Sequence, residues 1–366
     1  MVDWTQIEGL FLGGFFMACY HPLKGFPIGT TAAGKVDYKI TSYSVDHVEL
    51  RDGLWIPAHT PTRSMAAEAV VRSFIEIPCG QCVGCRLEYS RQWANRCMLE
   101  LQYHDSAYFV TLTYDDAHVP KSYYGDPNTG EAFTSLTLFK KDFQDFMKRL
   151  RKAFPDDKIR YFTAGEYGSK TFRPHYHAII FGLHLDDLKP WSRSEQGFTY
   201  YNSEALQRAW SVKDDDGVVR PIGYAVAAEV TWETCAYTAR YVMKKLKGAE
   251  ACFYDDHNIQ PEFTLMSRKP GIAHQYFEDH PDIYKCEYIN ISTDKGGRKF
   301  RPPRYYDRLF DIEYPDEMKE IKEARKRLAE DAKRIKLSKT NLSYIEMLAV
   351  EERNLKSRIK SLERSL

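Results

Sequence analysis

The chain has 366 residues, 43% of them hydrophobic and 28% charged, with a formal net charge of +1. That length exceeds one typical domain and is enough to bury a substantial core, so one enlarged domain or two domains are expected. The composition excludes a collagen, a disordered chain and a membrane bundle.

Residues 10–20 form an apolar stretch that holds two glycines. It falls short of the ~20 residues a spanning helix needs. Asp3 and Glu8 precede it and no Lys or Arg does, unlike a secretory leader. No membrane partner is expected, and the protein is assigned to the cytoplasm. The rest of 1–75 is rich in Gly, Pro and Thr without sustained periodicity, and reads as an irregular or short-stranded N-terminal arm.

Cys79, Cys82 and Cys85 make a C-x2-C-x2-C string, and Cys97 follows. Without a secretory segment, clustered thiols point to a metal or to a reduced structural role. Two readings stand side by side. One is a structural zinc site on Cys79, Cys82 and Cys85 with Cys97 as fourth ligand; the other is a tight Gly-containing turn whose thiols pack as small apolar groups.

In residues 86–104, Leu87, Trp93, Cys97, Leu101 and His104 recur at helical spacing. Residues 108–114 (YFVTLTY) read as a strand and 120–132 as a loop. Residues 137–154 are the clearest helix, with Phe139, Phe143, Phe146, Met147, Leu150 and Phe154 at three- and four-residue intervals. Strands follow at 158–164 and 175–182, joined by a turn at 165–174. Helices are expected at 203–210 and at 231–247, the latter with Thr231 as N-cap and Gly248 past its end. These elements suit an α+β fold, an antiparallel sheet covered by helices. Residues 311–366 read as a charged tail of one or two helices, broken near 338–343. From Pro315 onward 14 Lys and Arg stand against 10 Asp and Glu.

Chemistry concentrates in two places. On a strand, His175 and His177 share a face with Ile179 and Phe181, while Tyr176, Ala178 and Ile180 take the other. Two imidazoles so placed can hold one divalent ion. Glu166, nine residues earlier and just after the neighbouring strand, can return as an oxygen ligand, a donor set that suits Mg²⁺ or Mn²⁺. On the 231–247 helix, Tyr237 and Tyr241 lie one turn apart on one face, beside Arg240, Lys244 and Lys245. Tyr can act as a covalent nucleophile, although a free phenol with a pKa near ~10 needs activation at neutral pH. Lys295, Arg298, Lys299, Arg301 and Arg304 form a basic block with no acid among them, suited to a phosphate backbone.

The strand YFVTLTY, then Glu166 with RPHYH, then the Tyr237 and Tyr241 helix occur in the order that marks HUH endonucleases. The strings PCGQCVGCR at 78–86, MSRKPGI at 266–272 and RPPRYYDRLF at 301–310 resemble the replication initiators of gokushovirus-like microviruses. The resemblance spans roughly 77–310. It implies an HUH-type nicking and joining domain over 76–310, including the Cys-rich segment 79–97, with the arm 1–75 and the tail 311–366 on either side. It further implies His175, His177 and Glu166 as metal ligands and Tyr237 and Tyr241 as nucleophiles. The basic residues Arg240, Lys244, Lys245, Arg298, Lys299, Arg301 and Arg304 would hold DNA. The implied function is that of a viral rolling-circle replication initiator acting on single-stranded origin DNA in the cytoplasm of a bacterial host. It would link covalently to a 5′ phosphate and rejoin the strand with a divalent cation, beside a host helicase and polymerase. The alternatives are a non-catalytic single-stranded nucleic-acid-binding protein, with structural His and Tyr, and a zinc-stabilised scaffold.

Overall fold

The computed structural model describes residues 19–59, 67–125, 129–168, 171–193, 197–240, 245–246, 248–293 and 296–364. The chain divides into two compact units. One is Tyr89–Lys319; the other combines Met1–Glu88 with Glu320–Leu366.

The Tyr89–Lys319 unit is built on a seven-stranded sheet. Its strands are β1 (Ala107–Thr113), β2 (Arg160–Tyr167), β3 (Pro174–Phe181), β4 (Lys189–Arg193), β5 (Thr199–Asn202), β6 (Ala225–Glu229) and β7 (Phe263–Met266). They lie in the order β4-β5-β6-β1-β3-β2-β7, and every neighbouring pair is antiparallel. The helices that cover this sheet include α1 (Val83–Leu101), α2 (Lys140–Ala153), α3 (Glu204–Ala209) and α4 (Trp232–Arg240). The protein is therefore a mixed α+β chain with antiparallel sheets.

Alternation along the central strands separates two faces. Tyr176, Ala178 and Ile180 of β3 join Val110 and Leu112 of β1 in the main core, together with the apolar stripe of α2. In that stripe Phe143, Phe146, Met147 and Leu150 are at most 2% exposed. Each such side chain contributes roughly 1.5–3 kcal/mol by leaving water. The opposite face carries Phe109, Thr111, Phe162, His175 and His177. Trp93 of α1 stacks on Phe162 with ring centroids 4.4 Å apart. The Ser90 hydroxyl donates to the Ala236 carbonyl at 2.6 Å, and Trp232 Nε1 donates to Asn95 Oδ1 at 3.0 Å, so α1 and α4 are fastened to each other.

Residues 120–132, expected as a loop, belong to a hairpin of Lys121–Gly125 with Ala132–Leu136. The turn residues sit between two short strands whose Tyr124 and Phe133 face each other across the pair. The four strands β4 to β7 escape the sequence reading altogether. β4 is exposed at every position, so no apolar alternation marks it. β6 reads AVAAE, an alanine-rich string that favours helix in isolation.

In the other unit, Leu23–Thr30, Val36–Ser42 and Ile75–Ile77 form one three-stranded sheet, and His47–Arg51, Leu54–Ala58 and Ala69–Val71 form another. The helices Pro315–Leu337 and Tyr344–Arg364 are separated at 338–343. Lys333 donates to Tyr43 and Glu76, and His21 pairs with Glu352 at 2.8 Å. Residues from the expected arm and the expected tail thus meet in one unit. Among the described residues, no helix is long and apolar enough to cross a membrane.

Candidate metal and nucleophile site

The β2–β3 register sets Glu166 directly opposite His175, and Ala164 opposite His177. Glu166 is thus a residue of β2 itself, not of the turn after it, because the strand runs three residues beyond the predicted end at 164. The turn is held from the side. Gly168 N–H donates to the Arg173 carbonyl at 2.9 Å, and the Arg173 guanidinium donates to the Tyr114 carbonyl at 2.9 Å and pairs with Asp116 at 2.5 Å.

One donor atom each from Glu166, His175 and His177 lies within 4.8 Å of the others. Glu166 Oε1 is 2.5 Å from His175 Nε2 and 3.3 Å from His177 Nε2. The two imidazoles meet edge to face, with centroids 5.0 Å apart. Burial alone would push the Glu166 carboxyl up; the imidazoles of His175 and His177 outweigh it and hold the group down, at about 2. Glu166 is only 2% exposed, so a carboxylate stands charged inside the protein.

The orientation of His175 tests whether a metal fits. Its Nδ1 lies 3.1 Å from the Arg173 carbonyl, which can only accept, so Nδ1 carries the hydrogen. In the neutral ring Nε2 then turns a lone pair toward the Glu166 carboxylate, acceptor against acceptor. A contact of 2.5 Å between them calls for a shared proton or a cation. Two imidazole nitrogens and a buried carboxylate, each ring anchored through its other nitrogen, suit a divalent ion. For His177 the anchor is Thr111, whose Oγ1 is 3.1 Å from Nδ1.

α4 brings Tyr237 to this cluster. Its ring lies 5.3 Å from that of His177 and 6.2 Å from that of Phe109, edge-on to both. Phe109 itself stacks on His177 at 5.4 Å. The helix starts as the sequence suggests. Thr234 N–H donates to Thr231 Oγ1 at 3.2 Å, and Thr231 N–H donates to Thr234 Oγ1 at 2.9 Å, a reciprocal cap.

Tyr241, Lys244 and Lys295 lie outside the described residues, Arg240 is the last residue of α4, and Lys245 is half-buried. The basic block reaches the same helix. The hairpin Ile289–Thr293 with Gly296–Phe300 sets the Arg298 guanidinium 4.2 Å over the Trp232 ring, at the first residue of α4. Lys299 lies 4.0 Å over the Tyr288 ring, and Arg301 pairs with Glu287 at 2.9 Å. Arg304 opens the helix Arg304–Glu313 and donates its N–H to Gln92 Oε1 at 2.9 Å. Phe109 and Thr111 were not singled out as site residues in the sequence. Their signal was strand parity, since His175 pairs with Thr113 and His177 with Thr111.

The thiols cluster separately, and their membership corrects the sequence reading. The four sulfurs within 4.8 Å of one another belong to Cys19, Cys79, Cys82 and Cys85. Cys97 is instead buried beside Cys235. Cys85 and Cys97 lie on the same continuous helix α1, and twelve residues at about 1.5 Å each separate them by roughly 18 Å.

The model of the replication-associated protein ORF2 family matches residues 107–246, from β1 through the tyrosine helix. The chain is 35% identical over 297 residues to the replication-associated protein ORF2 of Spiroplasma virus 4, covering 79% of this chain and 85% of that protein. It is 30% identical over 258 residues to the replication-associated protein VP4 of Bdellovibrio phage phiMH2K, covering 69% and 74%. To the replication-associated protein ORF4 of Chlamydia phage 1 it is 26% identical over 256 residues, covering 65% and 57%. No solved structure matches it. Identity of this level over most of both chains means that the protein belongs to the family of microvirus replication-associated proteins.

Proposed function

We propose that this protein is the endonuclease that starts rolling-circle replication of its phage, with an HUH-type fold in the Tyr89–Lys319 unit. It nicks one strand at the origin, becomes linked through tyrosine to the 5′ phosphate, and rejoins the strand to release a single-stranded circle. The observation that carries this reading is the contact between Tyr237 and His177, whose ring shares the Glu166 carboxylate with His175.

Glu166, His175 and His177 would hold Mg²⁺ or Mn²⁺, which when bound supplies positive charge to polarise the scissile phosphate. The Tyr237 oxygen attacks phosphorus; the Tyr O–P bond forms as the P–O3′ bond breaks, and the phenol's proton ends on the released 3′ oxygen. Tyr241, four residues on, repeats the cut at the regenerated origin, and the freed 3′-OH attacks the first phosphotyrosine to close the circle. Each step exchanges one phosphoester for another, so joining needs no nucleotide.

Arg298, Lys299, Arg301 and Arg304, with Arg240, Lys244 and Lys245, would hold the strand by its phosphates. Tyr224, 72% exposed, offers a ring on which an unpaired base can stack; its carbonyl accepts from Thr113 N–H at 2.9 Å, next to His175 in the sheet. The sequence has no GxxxxGK[ST] string, so unwinding falls to a host helicase and extension of the 3′-OH to a host polymerase, inside the infected cell.

The test is a denaturing gel of the protein with end-labelled single-stranded origin DNA and Mn²⁺. An SDS-resistant protein–DNA band that disappears in the Tyr237→Phe, Tyr241→Phe double variant, while that variant still binds DNA, is the expected result. Binding without any such band across several origin sequences would favour the non-catalytic nucleic-acid-binding alternative. Equal cleavage in chelator and in Mn²⁺ would remove the metal from the reaction.

A further inference from the structure

We propose that Cys19, Cys79, Cys82 and Cys85 bind one structural Zn²⁺ that clasps the two small sheets of the N-terminal segment. Four thiolates around zinc at about 2.3 Å stand about 3.8 Å apart at the corners of a tetrahedron, within the 4.8 Å span of these sulfurs. A tetrahedral all-sulfur set selects zinc or a single iron, and iron is an outcome of the test.

The backbone is arranged for charged sulfur. Cys79 N–H donates to Cys19 Sγ and Cys82 N–H to Cys79 Sγ, both at 3.3 Å; Gln81 N–H donates to Cys79 Sγ at 3.4 Å, and Tyr20 N–H to Cys82 Sγ at 3.3 Å. Gly80, with φ of +72°, makes the tight turn that returns these amides to the sulfurs. Apolar packing explains none of this: Cys79 and Cys85 are only half-buried, and small apolar groups have no reason to attract amide donors. All four cysteines are free thiols, so no disulfide already does the fastening.

The fold also has a use for a clasp. Between Cys19 and Cys79, the apolar cluster under the two sheets consists of Phe26, Val45 and Val48, with Ile28, Trp55 and Val71 partly buried against it. So small a core in a segment of sixty residues is the circumstance in which a metal or disulfide usually supplies the missing stability. Binding displaces thiol protons to solvent, with no change in oxidation state.

The experiment uses the full chain, purified under reducing conditions. Elemental analysis should find stoichiometric zinc, and Co²⁺ exchanged into the protein should give the thiolate-to-metal charge-transfer and d–d bands of a four-sulfur tetrahedral site. Cys19→Ser should lower metal retention against a chelator by at least about tenfold and weaken the charge-transfer band. Cys97→Ser and the exposed Cys286→Ser should leave both unchanged, and so should His177→Ala, which separates this site from the proposed nicking metal. The proposal is overturned by wild-type protein with neither bound metal nor a cobalt–thiolate spectrum, by stoichiometric iron in place of zinc, or by a spectrum that survives in Cys19→Ser but collapses in Cys97→Ser. Because the cobalt spectrum is read on the wild type, misfolding of a Cys variant does not shield the proposal.

Discussion

Glu166, His175 and His177 come from a single hairpin twelve residues long, whereas Cys19 meets Cys79 across sixty residues of chain. In the hairpin, strand pairing does the assembling: one register determines which side chains converge, and the rings are aimed by a carbonyl and a hydroxyl from the sheet itself. In the thiol cluster, three members come from one short turn and the fourth arrives from another part of the fold. A site built by register is preformed by the core that fixes the register. A site closed by a distant residue draws its order from what it binds.

That contrast can be broken by experiment. The largest expected effect is in the hairpin: His177→Ala should cut adduct formation by roughly a thousandfold or more, several kcal/mol of transition-state stabilisation, with little change in melting temperature. A large loss of stability in that variant would show that the hairpin, too, depends on its ligands for order.

Next comes a buried ion pair that neither metal touches. Glu100 accepts from Ala273 N–H at 2.5 Å and His104 Nε2 at 3.1 Å, and from the Arg160 guanidinium. Burial pushes its carboxyl up, and these three donors outweigh it and hold it below its ordinary value. The stability it contributes is therefore present above the ordinary carboxylate pKa and is lost as pH falls through the depressed one. Glu100→Gln should cost about 3 kcal/mol in urea unfolding at neutral pH and flatten the acid side of the stability profile. No added metal should restore either.

A smaller effect is expected from Thr111→Val, which removes the partner of His177 Nδ1 while keeping the strand. Mn²⁺ affinity, followed by isothermal titration, should fall about 10- to 100-fold. The smallest is Gly80→Ala in the thiol turn. Its Cβ meets nothing within 4 Å, so only the left-handed backbone is strained, by about 1 kcal/mol. Zinc retention should weaken by less than about tenfold, measured by chelator competition. If Gly80→Ala outweighs Thr111→Val, the turn rather than the register is the more finely set of the two.

The same contrast explains what was legible in the sequence. Alternation placed Tyr176, Ala178 and Ile180 on one face and the histidines on the other, and the phenylalanine spacing of α2 marked the core, because these patterns are local. The parity that puts Thr111 beside His177 was also present in YFVTLTY, but it needs the register before it can be read. Cys19 carried no such mark. The expectation of Cys97 instead came from proximity in sequence, against the helix already visible in 86–104. β4 to β7 were hidden by their own chemistry, being fully exposed, alanine-rich or only four residues long.

The Nδ1–H that His175 gives to the Arg173 carbonyl has a thermodynamic consequence. In metal-free protein the short contact between Nε2 and Glu166 is filled by a proton, and an arriving cation must evict it. Loading the site is thus an exchange reaction, in which acid competes directly with metal and apparent affinity climbs with pH until the proton is gone. Titrations run in buffers of different ionisation enthalpy would count that proton in the heat released.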